Sequence, residues 1–250
     1  MHKLNFRATG SVTDASVRLG DQHDEPGVEV VDLLSEMDRH GVPCALAWHA
    51  KQSTSAIEGN RRLLALTAEQ PRVTPLFSAV AVDECLADLQ QIEAEGRLTA
   101  VRWAGLYRRP APFVDWLAGP LLDFLTATRT PFWVAWDDVA PDTFVRTAGQ
   151  FPQLRIVLTG LHFSQHVFVR PLLRVLPNVT MELSRYEALC GVENLVREFG
   201  AERFVYGSGY PDYAMGPVLF ALHHTALTEE DRAAICHDNL QRLLATEELP

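Results

Sequence analysis

Short apolar, β-branched or aromatic runs alternate along the chain with longer segments in which apolar residues recur every three or four positions. The runs are LNFRATG (4–10), CALAWHA (44–50), TPLFSAV (74–80), TAVRWAG (99–105), PFWVAWD (131–137), RIVLTGL (155–161), VTMELS (179–184) and RFVYGSG (203–209). Each reads as a buried strand. The intervening segments read as helices. Val30, Leu33, Leu34 and Met37 share one face of a helix that stops at Gly41, a natural residue for a left-handed helix end. Leu86, Leu89 and Ile92 do the same before Gly96, and Val192, Leu195, Val196 and Phe199 before Gly200. In LTEEDRAAICHDNLQRLL, Thr228 is placed to cap a first turn rich in acids, which suit a helix N-terminus. Ile235, Leu240, Leu243 and Leu244 then face inward.

Strand–helix units repeated without a linker imply parallel strands joined by right-handed crossovers. The economical solution is a single α/β domain over residues 1–250, a (β/α)8 barrel. A doubly wound open sheet is the alternative, although the first run lacks the GxGxxG turn of a dinucleotide fold. In a barrel, chemistry is expected at the C-terminal ends of the strands.

Composition narrows the class. The 250 residues are 47% hydrophobic and 22% charged, as in a globular protein with a sizeable core. A net charge of −10, with no segment concentrating Lys and Arg, argues against a nucleic-acid partner. Cys44, Cys85, Cys190 and Cys236 lack CxxC spacing and read as reduced thiols. No apolar leader opens the chain and no run approaches the ~18 apolar residues of a membrane span, so a cytoplasmic protein without a membrane partner is expected. Homo-oligomerisation is compatible with such a barrel, but nothing in the sequence specifies it.

Six segments, in order, carry a resemblance: EVVDLLSEMDRHGVPCALAW, IEGNRRLLALTAEQPRV, FPQLRIVL, NVTMELS, FGAERFVYGSGYP and LTEEDRAAICHDNLQRLL. They resemble the amidohydrolase-2 (amidohydrolase-related) group of the amidohydrolase superfamily. The resemblance implies a (β/α)8 barrel that normally binds one divalent metal and acts as hydrolase or non-oxidative decarboxylase on small, often carboxylated, molecules. It also implies metal ligands from a His-x-His pair on strand one, one His each on strands five and six, and an Asp on strand eight. Carried across, the pair falls on Arg7 and Thr9, the two histidines on Ala135 and Gly160, and the aspartate on Gly209. Zinc needs about three or four N, S or O donors. The expectation is therefore no metal and no other cofactor.

The remaining strand-end residues supply candidates. Arg7 is expected to point into the barrel mouth and anchor a carboxylate, with a salt bridge to Asp137 or Glu182 as the alternative. Thr9 joins it as a substrate contact. Arg102 is a second anion contact or a rim ion pair, and Trp103, facing the other way, is packing. His49 is placed as general base or acid, the alternative being a histidine bonded to backbone. Asp137 is placed to orient it or act as a base itself, against capping of its loop. Ser184 and Tyr210 are placed among the substrate contacts, and Glu182 as the structural partner of an arginine. TGSVTDASVRLGDQHDEP (9–26) is read as a lid over the pocket. His162 with His166, and His223, His224 and His237, are the sets to weigh for a replacement metal site, and no GxSxG elbow is present.

The leading expectation is a metal-independent enzyme that uses acid–base chemistry (hydrolase, lyase or isomerase) on a small anionic, carboxylated substrate. A catalytically silent barrel that binds an anion or a protein partner is one alternative. A metal-dependent hydrolase with substituted ligands is the other. Convergence of Arg7, His49 and Asp137 on one pocket favours the enzyme; dispersal favours the silent barrel.

Overall fold

The computed structural model describes residues 6–22, 25–104 and 112–245. The barrel is built from two hydrogen-bonded sheets that join edge to edge. In the first, β1 (Thr13–Gln22) pairs antiparallel with β2 (Glu25–Val28) and parallel with β3 (Cys44–His49), which pairs with β4 (Val73–Pro75). In the second, β5 (Phe77–Ala79), β6 (Val101–Trp103), β7 (Phe132–Ala135), β8 (Ile156–Thr159), β9 (Val179–Glu182) and β10 (Phe204–Val205) lie side by side, all parallel.

Two seams close the ring. Leu76 alone separates β4 from β5: its N–H bonds to Ala47 on one neighbour at 2.7 Å, and the N–H of Phe77 bonds to Ala100 on the other at 2.9 Å. Together they form one bent stave. At the other seam, N–H groups of Ala15, Gly209 and Arg18 donate to the carbonyls of Tyr206, Ser16 and Tyr210 at 3.1, 3.1 and 2.7 Å. These bonds tie β1 to the end of β10. The result is a closed (β/α)8 barrel, which leaves no unpaired strand edge in the ring.

Outside it pack α1 (Val30–His40), α2 (Ala56–Thr67), α3 (Asp83–Ala94), α4 (Asp115–Ala127), α5 (Pro141–Gln150), α6 (His166–Val175), α7 (Gly191–Phe199) and α8 (Gly216–His223). The chain ends in α9 (Glu229–Ala233), a wider turn at Ala234–Asp238, and α10 (Asn239–Leu244). The sequence signals for these ends hold. Gly41 takes the left-handed conformation at φ 71° after α1, and the Thr228 hydroxyl accepts the Asp231 N–H at 3.0 Å. None of the described helices is long and apolar enough to cross a membrane.

The core has two layers. The larger lies between staves and helices, with Val17, Leu19, Ala45, Ala47, Phe77 and Met181 on the outward strand faces. The smaller fills the barrel itself, with Leu46, Leu76, Trp133, Val157 and Val205 pointing inward and Leu240 of α10 packed against them.

The first strand corrects the sequence reading. Residues 6–9 form no strand, and the segment read as a lid contains β1 at the heart of the barrel. Its polar inward positions hide a strand whose outward positions, Val17 and Leu19, are fully buried. Six of the seven other runs hold as single staves, and TPLFSAV is the broken one.

Candidate active site

At the C-terminal ends of the staves, alternation decides which side chains reach the mouth. On β3, Leu46 belongs to the inner layer and Ala45 and Ala47 to the outer, so Trp48 faces in and His49 faces out. On β6, Val101 and Trp103 pack outward, leaving Arg102 inside. On β9, Val179 and Met181 pack outward and Glu182 turns in. On β1, Val17 and Leu19 pack outward and Arg18 turns in.

Arg102 lies with its guanidinium carbon 4.0 Å from the centroid of the Trp48 ring, a cation–π contact between β6 and β3. Burial lowers its pKa to about 10, and the charge of Asp138 opposes that shift. It therefore stays cationic at neutral pH. Arg18 is the registered neighbour of Trp48 across the β1–β3 pairing, and its Nη2 donates to Asp212 at 2.6 Å.

Glu182 is buried within the wall formed by β9 and β10. Its two carboxylate oxygens accept the backbone N–H of Ser184 at 2.6 Å and the Ser184 hydroxyl at 2.8 Å. Desolvation raises its pKa to about 7; hydrogen bonds from Ser184 and the Gly160 backbone, which favour the anion, offset part of the rise, while the charge of Asp14 adds to it. Gly207 leaves room for it: a Cβ there would collide with the Glu182 carboxylate. Asp14, on the wall at β1, accepts N–H bonds from Ser16 and Ser208 at 3.1 and 2.9 Å, and burial raises its pKa to about 6.

The sequence-derived candidates separate into two groups. Arg102 and Ser184 reach the mouth. Arg7 and Thr9 do not: both are exposed, Arg7 beside Gly41 at the C-terminal end of α1, the opposite end of the barrel. The Thr9 carbonyl accepts from His223. His49 packs its ring against Gly20 outside the barrel, and its Nδ1 accepts the Lys51 N–H at 3.0 Å, capping a short turn. That bond leaves the ring proton on Nε2 in the neutral form, and burial, with the charge of Arg62, lowers the pKa. Asp137 is exposed on the rim, 3.8 Å from Arg185, whose guanidinium sits 5.3 Å from the Tyr213 ring. Tyr210 contributes backbone to the closing seam, while its ring joins the outer core beneath α1. Thus Arg7, His49 and Asp137 do not converge. Among the described residues, Glu182 pairs with Ser184 and not with an arginine.

With β1 in place, the strand-one positions of the His-x-His pair move from Arg7 and Thr9 to Ser16 and Arg18. The five positions then hold Ser16, Arg18, Ala135, Gly160 and Gly209. A guanidinium, a hydroxyl and three positions without donors do not fit a divalent cation. Among the described residues, no group of three or more His, Cys, Asp and Glu converges in a way that could hold one.

The profile of the amidohydrolase family matches residues 20–245. The chain belongs to the amidohydrolase family. Solved structures of amidohydrolase-type barrels share its fold at low identity. An uncharacterised TIM-barrel protein from Bordetella bronchiseptica superposes with a TM-score of 0.75 at 18% identity, over 94% of this chain and 99% of that one. For 5-carboxyvanillate decarboxylase from Sphingomonas paucimobilis the values are 0.74, 14%, 94% and 98%. For a dihydroxybenzoic acid decarboxylase from Polaromonas sp. JS666, solved with manganese and the inhibitor 2-nitroresorcinol, they are 0.74, 16%, 94% and 97%. No curated protein sequence matches the chain. Among the described residues, this mouth holds two inward arginines, Arg18 and Arg102, and a buried glutamate, Glu182, whose pKa burial raises to about 7.

Proposed function

We propose that this amidohydrolase-family barrel is a metal-independent acid–base enzyme acting on a small carboxylated molecule at the C-terminal mouth. Arg102 anchors the substrate carboxylate. Its planar fork suits a carboxylate, and the Trp48 ring fixes that fork and offers an apolar surface beside it. Glu182 is the group that exchanges a proton with the substrate, and Ser184 holds it in place. A carboxyl with a pKa of about 7 is divided between acid and base at neutral pH, the condition under which proton transfer is most effective. That shifted carboxyl, held by Ser184 at the inward end of β9, carries the proposal. Proton transfer of this kind contributes roughly 10²–10⁴-fold, which suits activated bonds. Fold relatives named as decarboxylases of carboxylated and hydroxylated aromatics supply the class of compound to test.

The second reading is a catalytically silent barrel that binds a small anion. The dispersal of Arg7, His49 and Asp137 favours it. The two readings part in one experiment: a panel of benzoates and their esters and lactones is incubated with the wild type, E182Q and R102A, and products are followed by chromatography. Turnover that E182Q loses while still binding supports the enzyme. Binding lost in R102A, with no product from any protein, supports the silent barrel.

A further inference from the structure

Resting on that reading of the mouth, we infer that Arg18 forms a second anion subsite, occupied in the free protein by Asp212, and that the ligand therefore carries two acidic groups. Arg18 projects inward between Val17 and Leu19 and stands in register with Trp48, on which Arg102 stacks. The indole thus has one guanidinium over its face and another on the adjacent strand. No third cation is needed to define a two-pronged site.

The hydrogen bonding of Arg18 is that of a receptor, not of a structural ion pair. Its side chain is 3% exposed, so every donor is removed from bulk water. Yet among the described residues only Nη2 makes a close bond, to one oxygen of Asp212; Nη1 reaches the Gly20 carbonyl at the long distance of 3.4 Å. Nε, fully buried, has no partner among the described residues. Buried guanidinium–carboxylate pairs gain most when bidentate, and an unmet buried donor carries its full desolvation cost. Asp212 leaves that demand unmet.

Asp212, in contrast, loses little by leaving. It lies on the loop after β10 with 48% of its side chain exposed, so its carboxylate is solvated in either position. A ligand carboxylate that replaces it can take Nη2 and Nε together. Asp212 acts as an internal substitute for that ligand group, keeping Arg18 neutralised until a diacid arrives.

Calorimetric titration with benzoate and with isophthalate tests this in the wild type, D212N, R18Q and R102A. D212N is expected to tighten isophthalate about tenfold or more while leaving benzoate unchanged. R18Q is expected to remove the advantage of isophthalate over benzoate. D212N alone is expected to melt lower than the wild type and isophthalate to restore it, a readout that stands even if R18Q does not fold. An isophthalate-to-benzoate ratio unaltered by D212N and R18Q, with R102A weakening both acids, overturns the second subsite and leaves the Arg102 anchor standing. Failure of both acids to bind the wild type and D212N overturns both.

Discussion

The carboxylate of Glu182 lies where any side chain on residue 207 would have to sit: a Cβ built on Gly207 falls within its van der Waals envelope. Gly207 is therefore part of the site, because it lets β10 approach the acid closely enough to keep water out. G207A should displace the carboxylate from Ser184 and cost about 1–3 kcal/mol of stability. In a double-mutant cycle with E182A the two substitutions should be non-additive by about 1 kcal/mol or more, read from urea midpoints.

Glu182 also predicts how stability depends on pH. Its folded pKa of about 7 lies above the ordinary 4.5, so the native state keeps a proton that the unfolded chain has released. Stability from this group is therefore lost as pH rises from about 4.5 to about 7, and the penalty is complete above that. E182Q removes the charge but not the shape. Measured by urea unfolding, it should gain on the wild type between pH 5 and pH 8.

Arg102 stacks flat on Trp48, so a point charge cannot replace it. R102A should weaken benzoate by about 10–100-fold, and R102K should recover little of the loss. Calorimetric titration at neutral pH checks both. Unchanged affinity in R102A would show that the carboxylate binds elsewhere.

Thr228 caps α9 by accepting the Asp231 N–H at 3.0 Å. T228A should cost about 1 kcal/mol, a fall of about 2–4 °C in Tm for a chain of this size, with no change in ligand affinity. Scanning calorimetry gives the answer.

How far the sequence could be read depended on which side of each strand is polar. Runs such as PFWVAWD are apolar on both faces and announce themselves. TDASVRLGDQ does not, because Thr13, Asp14, Ser16 and Arg18 interrupt the apolar residues, although Val17 and Leu19 mark its outward face. Taking LNFRATG for the first strand put the ligand positions nine residues early, on Arg7 and Thr9 in place of Ser16 and Arg18 (16 − 7 and 18 − 9). In CALAWHA the error was one of facing: Ala45, Ala47 and His49 form one side, Leu46 and Trp48 the other, and both are apolar enough to be buried. Only the closed barrel shows that Trp48 takes the inside. Asp212 could not be paired with Arg18 from sequence at all, since 194 residues separate them.

The most direct measurement is the turnover of a carboxylated aromatic by chelator-stripped wild type and E182Q across pH. Stripped wild type should turn over with a limb near pH 7, and E182Q should bind as well but be slower by roughly 10²–10⁴-fold. A stripped protein that regains activity only with stoichiometric zinc or manganese, with E182Q as active as the wild type, would contradict it.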